Sequence, residues 1–365
     1  MTTAAVYPVA PRPHPDAASP SPRAVRRATP VEQDGGPARV AAQDAPERLR
    51  RALYYGTPRV ALYQGDAAHL LAAMDTASVD CIVTSPPYYG QRDYAVAGQL
   101  GLEAHPQEYI DKLVAVFREA RRVLKPGGSL WVNIGDTYWS GKGRPHGKDA
   151  KQKARRFTRP QDRAGKRPLC RPKQLLLIPH RFAIAMQEDQ WIVRNDNVWR
   201  KTRSTPDPAK DRSATAHEYM FHFVKRGKYH YDYDAVAVPS TGKTKRQAPP
   251  SVWDIPAVPS RKNQTAVFPD RLVILPIRAT CPPDGVVLDP FCGSGTTLLV
   301  ALTEGAGRRA IGIDVSPASL GEARGILQAA QDRLPAHPIR VVVGPIDGPI
   351  DGVPSRDGER LNRQA

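Results

Sequence analysis

The sequence predicts an α/β fold built on a mostly parallel sheet, and three observations carry that prediction. Two apolar runs, Val79-Asp80-Cys81-Ile82-Val83 and Leu130-Trp131-Val132-Asn133-Ile134, flank a stretch of helical periodicity. Strand, helix and strand in this order join through a crossover that lays both strands parallel in one sheet. A second such unit runs from Gly285-Val286-Val287-Leu288-Asp289 through a glycine-rich turn and a helix opened by Thr296 to Arg309-Ala310-Ile311-Gly312-Ile313-Asp314. The third observation is how the leading strands stop, one on two prolines and the other on a Pro-Phe-Cys-Gly-Ser-Gly turn, so each ends in a loop of constrained backbone.

Taken in order, residues 1 to about 48 are rich in Ala, Pro and Arg without apolar periodicity, and a disordered arm is expected there. Order is expected from near Arg59, with Val60-Ala61-Leu62-Tyr63 a short strand, Gly65-Asp66 a turn, and Ala68, Leu71, Ala72 and Met74 one face of a helix. Asp66 suits a helix N-cap, and its place at a strand end also suits a ligand contact.

The strand ending at Thr84 runs into Ser85-Pro86-Pro87-Tyr88-Tyr89. Proline cannot donate to a sheet ladder, so a rigid loop is expected at the strand's carboxyl end. The Ser85 and Pro86 carbonyls beside the flat Tyr88 ring suit a planar, amino-bearing ring. A plain Pro-Pro turn with a tyrosine packed under it is the competing reading. From Pro106, residues Tyr109, Ile110, Leu113, Val116, Phe117, Ala120, Val123 and Leu124 keep helical spacing, and Lys125-Pro126-Gly127-Gly128 reads as the stop. The next strand ends at Gly135-Asp136.

Residues 141 to 173 break the alternation, with thirteen Lys or Arg against two Asp, a net +11. They read as a mobile basic loop that adds phosphate contacts. Leu175-Leu176-Leu177-Ile178 to Met186 predicts a helix kinked or restarted at Pro179. Trp191-Ile192-Val193-Arg194, Asn197-Val198-Trp199 and His217 to Val224 predict strands, and Tyr229-His230-Tyr231-Asp232-Tyr233 alternates like a half-exposed one. From Val238 to Asn263 the chain is basic and proline-rich, with Trp253 its one large aromatic, and reads as a surface element facing a polyanion. Beyond the glycine turn, Asp314 ends a strand about 20 residues on, the spacing at which an acid meets ribose hydroxyls in nucleotide-binding βαβ units. A helix to about Leu334 follows, and the Gly, Pro and Asp-rich tail from Gly344 is expected to be disordered.

The totals narrow the class. The 365 residues carry 53 Lys+Arg against 36 Asp+Glu, a net +17, and 41% are hydrophobic. That is enough for a substantial core, and a pI near 9.9 favours a polyanionic partner, nucleic acid first. Cys81, Cys170, Cys281 and Cys292 show no spacing suited to a metal, so no metal site is expected and reduced thiols in a cytoplasmic protein are. No apolar run approaches the roughly 20 residues of a membrane span, and the first thirty residues lack the apolar centre of a secretory signal.

Together, Asp289-Pro290-Phe291-Cys292-Gly293-Ser294-Gly295-Thr296 and Thr84-Ser85-Pro86-Pro87-Tyr88 resemble the S-adenosylmethionine-dependent DNA amino-methyltransferases. The catalytic motif precedes the cofactor motif, as in the circularly permuted beta group, and the resemblance covers roughly residues 58 to 330. It implies a Rossmann-like, mostly parallel seven-stranded sheet with helices on both faces. It further implies that Asp314 binds the cofactor ribose, that Asp66 lies near the adenine, and that Phe291, Gly293 and Gly295 shape the methionine side. Asp289 and Thr296 belong to the same cofactor motif, and residues 263 to 269 resemble the segment that completes the pocket. The DNA-reading region is implied between the motif halves, within 141 to 173 and 226 to 262.

An exocyclic amine is a poor nucleophile because its lone pair is delocalised into the ring. Hydrogen bonds from its protons to Ser85 Oγ and the Pro86 carbonyl favour a pyramidal nitrogen that can attack a sulfonium methyl in line. Pro87 stiffens the loop, and Tyr88 is the stacking platform for a base flipped from double-stranded DNA. Methylation at ring carbon 5 needs a cysteine nucleophile, normally preceded by proline, and none of the four follows one. Serine before Pro-Pro-Tyr resembles the cytosine-N4 enzymes, whereas adenine-N6 enzymes more often carry Asp or Asn. Cytosine N4 is therefore the expected target and adenine N6 the alternative. An RNA or protein methyltransferase and a non-catalytic DNA-binding relic are the rivals from other classes. A cognate restriction endonuclease and a monomeric or homodimeric state remain open.

Overall fold

Each buried strand is apolar on both faces, and each needs a helix layer on either side. The computed structural model describes residues 45–331 apart from 92, 94–95, 97, 142–159, 164–166, 204–206, 208, 241–244 and 259–267. It opens with helix α1 (Ala45–Ala52), followed by β1 (Leu53–Gly56) and β2 (Val60–Gln64). Order thus begins before Arg59, and the last residues of the expected arm are helical. The rest of the arm and the tail 344–365 lie outside the described residues.

Helix α2 (Ala67–Ala73) leads to β3 (Val79–Thr84), then α3 (Pro106–Val123) and β4 (Leu124–Ile134). Strand β4 starts directly after α3, so Lys125 to Gly128, expected as a helix stop, are already strand. Gly128 fits because a Cβ there would lie 2.6 Å from the Asp80 carbonyl of the neighbouring strand. Helix α4 (Ile178–Glu188) begins at Ile178 with Pro179 in its first turn, where a missing N–H costs nothing; it is neither kinked nor restarted. Leu175 precedes it and bridges to Tyr138.

Strand β5 (Ile192–Lys201) is one strand with an irregularity between Val193 and Asn195, where two had been expected, and β6 (His217–Val224) pairs with it. The expected strand at Tyr229–Tyr233 is instead a connection capped by Asp232, whose side chain accepts from Ala235 N at the start of α5 (Tyr233–Val236). A two-residue pair, β7 (Val238–Pro239) and β8 (Arg246–Gln247), precedes β9 (Val252–Ile255). The chain then runs through α6 (Asp270–Thr280), β10 (Val286–Asp289), α7 (Thr296–Thr303), β11 (Arg309–Asp314) and α8 (Pro317–Gln331).

Among the described residues, the main sheet has nine strands in the order β1-β2-β11-β10-β3-β4-β6-β5-β9. Its inner seven are the expected sheet; β1 and β9 extend it at either side. Pairings β2·β11, β11·β10, β10·β3, β3·β4 and β5·β9 are parallel, and β6 runs antiparallel to both β4 and β5. Ile82, Leu130, Val132 and Leu288 pack toward α2, α3 and α4. Cys81, Val83, Trp131 and Val287 pack toward α6, α7 and α8. Trp253, expected on a surface element, is 8% exposed beside Trp131, because alternation along β9 turns it inward and turns Val252 out.

Direction fixes which connections reach which rim of the sheet. The carboxyl ends of β2, β11, β10, β3, β4 and β5 share one rim, and antiparallel β6 begins there at His217. Strand β6 ends at the opposite rim, where His230 N donates to the Gly127 carbonyl and Asp232 N to that of Ala279. Of the described residues in 226–262, only those from the end of β9 onward reach the first rim.

Candidate active site

The sheet order reverses between β10 and β3, and a crevice at such a reversal, outside the carboxyl ends of the strands, is where open α/β sheets bind ligands. A cavity of about 340 Å³ lies there. From β2, β11 and β10 it receives Asp66, Asp314, Phe291, Gly293 and Thr296; from β3 it receives Ser85, Pro86, Pro87 and Tyr88. The two remaining expected residues, Asp289 and Gly295, do not line it. Asp289 stands behind the wall as a strut, and Gly295 caps α7 in the left-handed region at φ +83°.

The proline loop is fastened from several sides. Thr84 Oγ1 donates to Asp289 Oδ1 at 2.6 Å, Tyr109 Oη donates to the Pro87 carbonyl at 2.8 Å, and Gly90 N donates to the Gly101 carbonyl. Tyr89, fully buried, donates through Oη to the Glu103 carbonyl. Asp289 also accepts from Phe291 N. Burial pushes its carboxyl up to about 6, against the lowering effect of the Thr84 and Thr297 hydroxyls and the Phe291 amide.

On the glycine-turn side, Asp314 accepts from Gly293 N at 2.9 Å and Ser316 N at 2.8 Å, which pins the turn to the end of β11. Burial raises its carboxyl above the ordinary range. Gly293 sits at φ +51° with nothing within 4 Å of where a Cβ would stand, so the turn leaves a cradle open above its backbone. Thr296 Oγ1 is buried without a hydrogen-bond partner among the described residues, a polar group available to a ligand. Asp66 caps α2 by accepting from His69 N at 3.0 Å and lines the cavity as well, so both of its readings hold geometrically. Phe268 lines the same cavity, and residues 263–267 lie outside the described residues.

The far wall holds residues that motif reading missed. Tyr88 Oη donates to Glu218 Oε2 at 2.7 Å and lies 3.0 Å from Asn133 Oδ1, whose amide is oriented by donating to the Tyr219 carbonyl. Glu218 pairs with Lys201, and Lys201 lies 4.8 Å from the centre of the Trp199 ring. Burial and the Glu218 charge hold the Tyr88 phenol well above its ordinary range. A Glu and a Lys facing inward from neighbouring strands of a predicted apolar sheet were the available signal. Cys292 also lines the cavity, and burial pushes its thiol well up, away from the thiolate a nucleophile needs.

The sequence profile of the N6/N4 DNA methylase family matches residues 79–323. The chain is also 42% identical over 257 residues to the type II methyltransferase M.XycI of Xanthomonas campestris pv. cyanopsidis, covering 70% of this chain and 83% of that protein. The chain belongs to this DNA methylase family. Its Ser85-Pro86-Pro87-Tyr88 motif precedes its glycine turn in the sequence, the order of the beta group of amino-methyltransferases. The PvuII cytosine-N4-specific DNA methyltransferase shares the fold, with a TM-score of 0.55 at 22% identity over 75% of this chain and 88% of that one. A Thermus thermophilus structure, described as a DNA modification methylase complexed with S-adenosyl-L-methionine, matches with a TM-score of 0.50 at 26% identity over 78% and 98%. Among the described residues of this DNA methylase, no helix is long and apolar enough to cross a membrane.

Proposed function

We propose that this DNA methylase transfers a methyl group from S-adenosylmethionine to the exocyclic N4 amine of a cytosine flipped out of duplex DNA. The observation that carries this reading is the single cavity shared by Asp66, Gly293, Thr296 and Asp314 on one side and Ser85, Pro86 and Tyr88 on the other. Its volume suits a nucleoside-sized ligand. The open space over Gly293, the unpartnered Thr296 hydroxyl and the two carboxylates fit a donor rich in hydroxyl and amino groups. When bound there, the cofactor supplies an electrophilic methyl group on a sulfonium.

The chain does the rest by orientation. Asp314 and Asp66 accept hydroxyl or amino protons, while the Asp314 bonds to Gly293 and Ser316 hold the turn in place. Ser85 Oγ and the Pro86 carbonyl accept the two protons of the target amine and turn its lone pair toward the methyl group. Tyr88 offers its ring to the base, its hydroxyl held by Glu218. Ser85 in place of Asp or Asn supports cytosine over adenine. The relative's description as a type II methyltransferase supports a modification role beside a cognate restriction endonuclease.

Duplex DNA incubated with the protein and cofactor, digested to nucleosides and analysed by mass spectrometry, tests this directly. N4-methylcytosine is the expected product. N6-methyladenine would move the target to the alternative amine, and neither product would overturn the reading.

A further inference from the structure

Ser85, Tyr88 and Glu218 form one directional chain of hydrogen bonds, and Lys201 meets its end from the other side. Ser85 Oγ donates to Tyr88 Oη at 3.3 Å, Tyr88 Oη donates to Glu218 Oε2 at 2.7 Å, and Lys201 Nζ donates to Glu218. A hydroxyl carries one proton and two lone pairs, so each can give its proton forward while accepting another from behind. The chain starts on the group that holds the target amine and ends on a carboxylate. Raised by burial and by Glu218, the Tyr88 phenol stays protonated at working pH, so it passes a proton on only by taking one in.

The Lys201 and Glu218 side chains are 23% and 14% exposed, and a pair so shielded is costly unless each partner is satisfied. The groups facing Glu218 are Tyr88 from the loop after β3, Lys201 from β5 and, through Tyr88, the neutral Asn133 of β4. Asp66 and Asp314 line the same cavity from the ends of β2 and β11.

We infer that Glu218 receives the proton released by the methylated amine, by way of Ser85 and Tyr88. This rests on the amino-methyl transfer proposed above. As the nitrogen lone pair forms the new nitrogen–carbon bond, the sulfur–carbon bond breaks with its electron pair left on sulfur, and the nitrogen becomes cationic. The nitrogen releases a proton to Ser85 Oγ, the Ser85 proton passes to Tyr88 Oη, and the Tyr88 proton passes to Glu218 Oε2. Amine, sulfur and Glu218 all end neutral, so the sulfonium charge is cancelled by the carboxylate. Lys201 holds the Glu218 carboxylate in place beforehand, and the proton leaves to water with the product.

Glu218→Gln keeps an oxygen for Tyr88 Oη but removes its basicity, and Tyr88→Phe keeps the ring but removes the relay hydroxyl. Single-turnover methylation is measured against pH for the parent, both variants and the double variant. Each single variant should be slower by about a hundredfold, the order that general-base steps supply, and should lose the parent's rise with pH. The double variant should be no slower than either. A parent-like rate and pH profile in Glu218→Gln, or losses that multiply in the double variant, would overturn the inference.

A second readout needs no methyl donor. In protein carrying tyrosine labelled at the phenol carbon, the resonance absent from Tyr88→Phe should sit at a different position in the parent and in Glu218→Gln, because the acceptor of its proton changes from a carboxylate to an amide oxygen. A Tyr88 resonance at the same position in both proteins would also overturn the inference. A parent that methylates neither cytosine nor adenine would instead overturn amino-methyl transfer itself, and this inference with it.

Discussion

Thr84 Oγ1 donates to Asp289 Oδ1 across 2.6 Å, joining the last residue of β3 to the last residue of β10. Both residues are buried, and their strands are parallel neighbours where the sheet order reverses. One bond therefore sets the distance between the proline loop and the glycine turn, which begin at the very next residues.

Thr84→Val keeps the shape and removes the donor, leaving a buried carboxylate with one fewer partner. The expected loss is about 1–3 kcal/mol of stability, read by urea unfolding, with methylation falling alongside; Thr84→Ser should retain most of both. A valine variant as stable as the parent would show that the bond contributes nothing.

The raised Asp289 carboxyl makes a signed pH prediction. Its folded value of about 6 lies above its unfolded value of 3.8, so between those limits the folded state binds more protons than the unfolded one. Its contribution to stability is therefore fully present below the unfolded value and is lost as pH rises through about 6. Relative to the parent, Asp289→Asn should gain on the order of 2–3 kcal/mol between the acid and neutral ends of that window, at about 1.4 kcal/mol per unit. Unfolding free energies measured at both ends check this, and a constant difference would refute it.

Ser85→Ala removes one of the two acceptors proposed for the target amine while leaving the glycine-turn wall of the cavity intact. Methyl transfer should fall by at least about a hundredfold, the effect of losing one preorganised catalytic hydrogen bond, while cofactor affinity by calorimetry stays at the parent's value. Equal turnover in variant and parent would remove Ser85 from the mechanism.

Asp314→Ala should act on the opposite side of the cavity. Losing a charged acceptor there is expected to weaken cofactor binding by roughly 10- to 100-fold, following 1.5–3 kcal/mol for such bonds. It also frees Gly293 N and Ser316 N, so the loss should exceed that of Asp314→Asn, which keeps one acceptor. Calorimetry of the two variants separates these contributions.

Charge in residues 141 to 173 should govern affinity for DNA and leave the chemistry alone. Replacing Lys151, Lys153, Arg155 and Arg156 by Gln should flatten the plot of log affinity against log salt, by up to about 0.9 per lost phosphate contact. The single-turnover rate at saturating DNA should hold. A slope equal to the parent's would place the phosphate contacts elsewhere.

The halves of the candidate site were legible because each sits where a strand stops for a reason visible in the residues: Pro86-Pro87 after β3, Gly293 and Gly295 after β10, Asp314 closing β11. Glu218 was not, since 130 residues separate it from Tyr88 and only the insertion of β6 between β4 and β5 brings the two together. Tyr229 to Tyr233 and Trp253 misled for a local reason. Alternation shows that one set of side chains faces inward, and it leaves open whether the segment pairs at all or which set that is. Pro179 was placed in the right helix but given the wrong office, because a proline in the first turn and one that kinks differ only in where the helix begins.

The reversed direction of β6 decides which rim Glu218 reaches. Because β6 enters where its neighbours leave, Glu218 near its start and Lys201 at the end of β5 face the same cavity as the loop after β3. A β6 running with its neighbours would leave Glu218 at the far rim, out of reach of the Tyr88 hydroxyl.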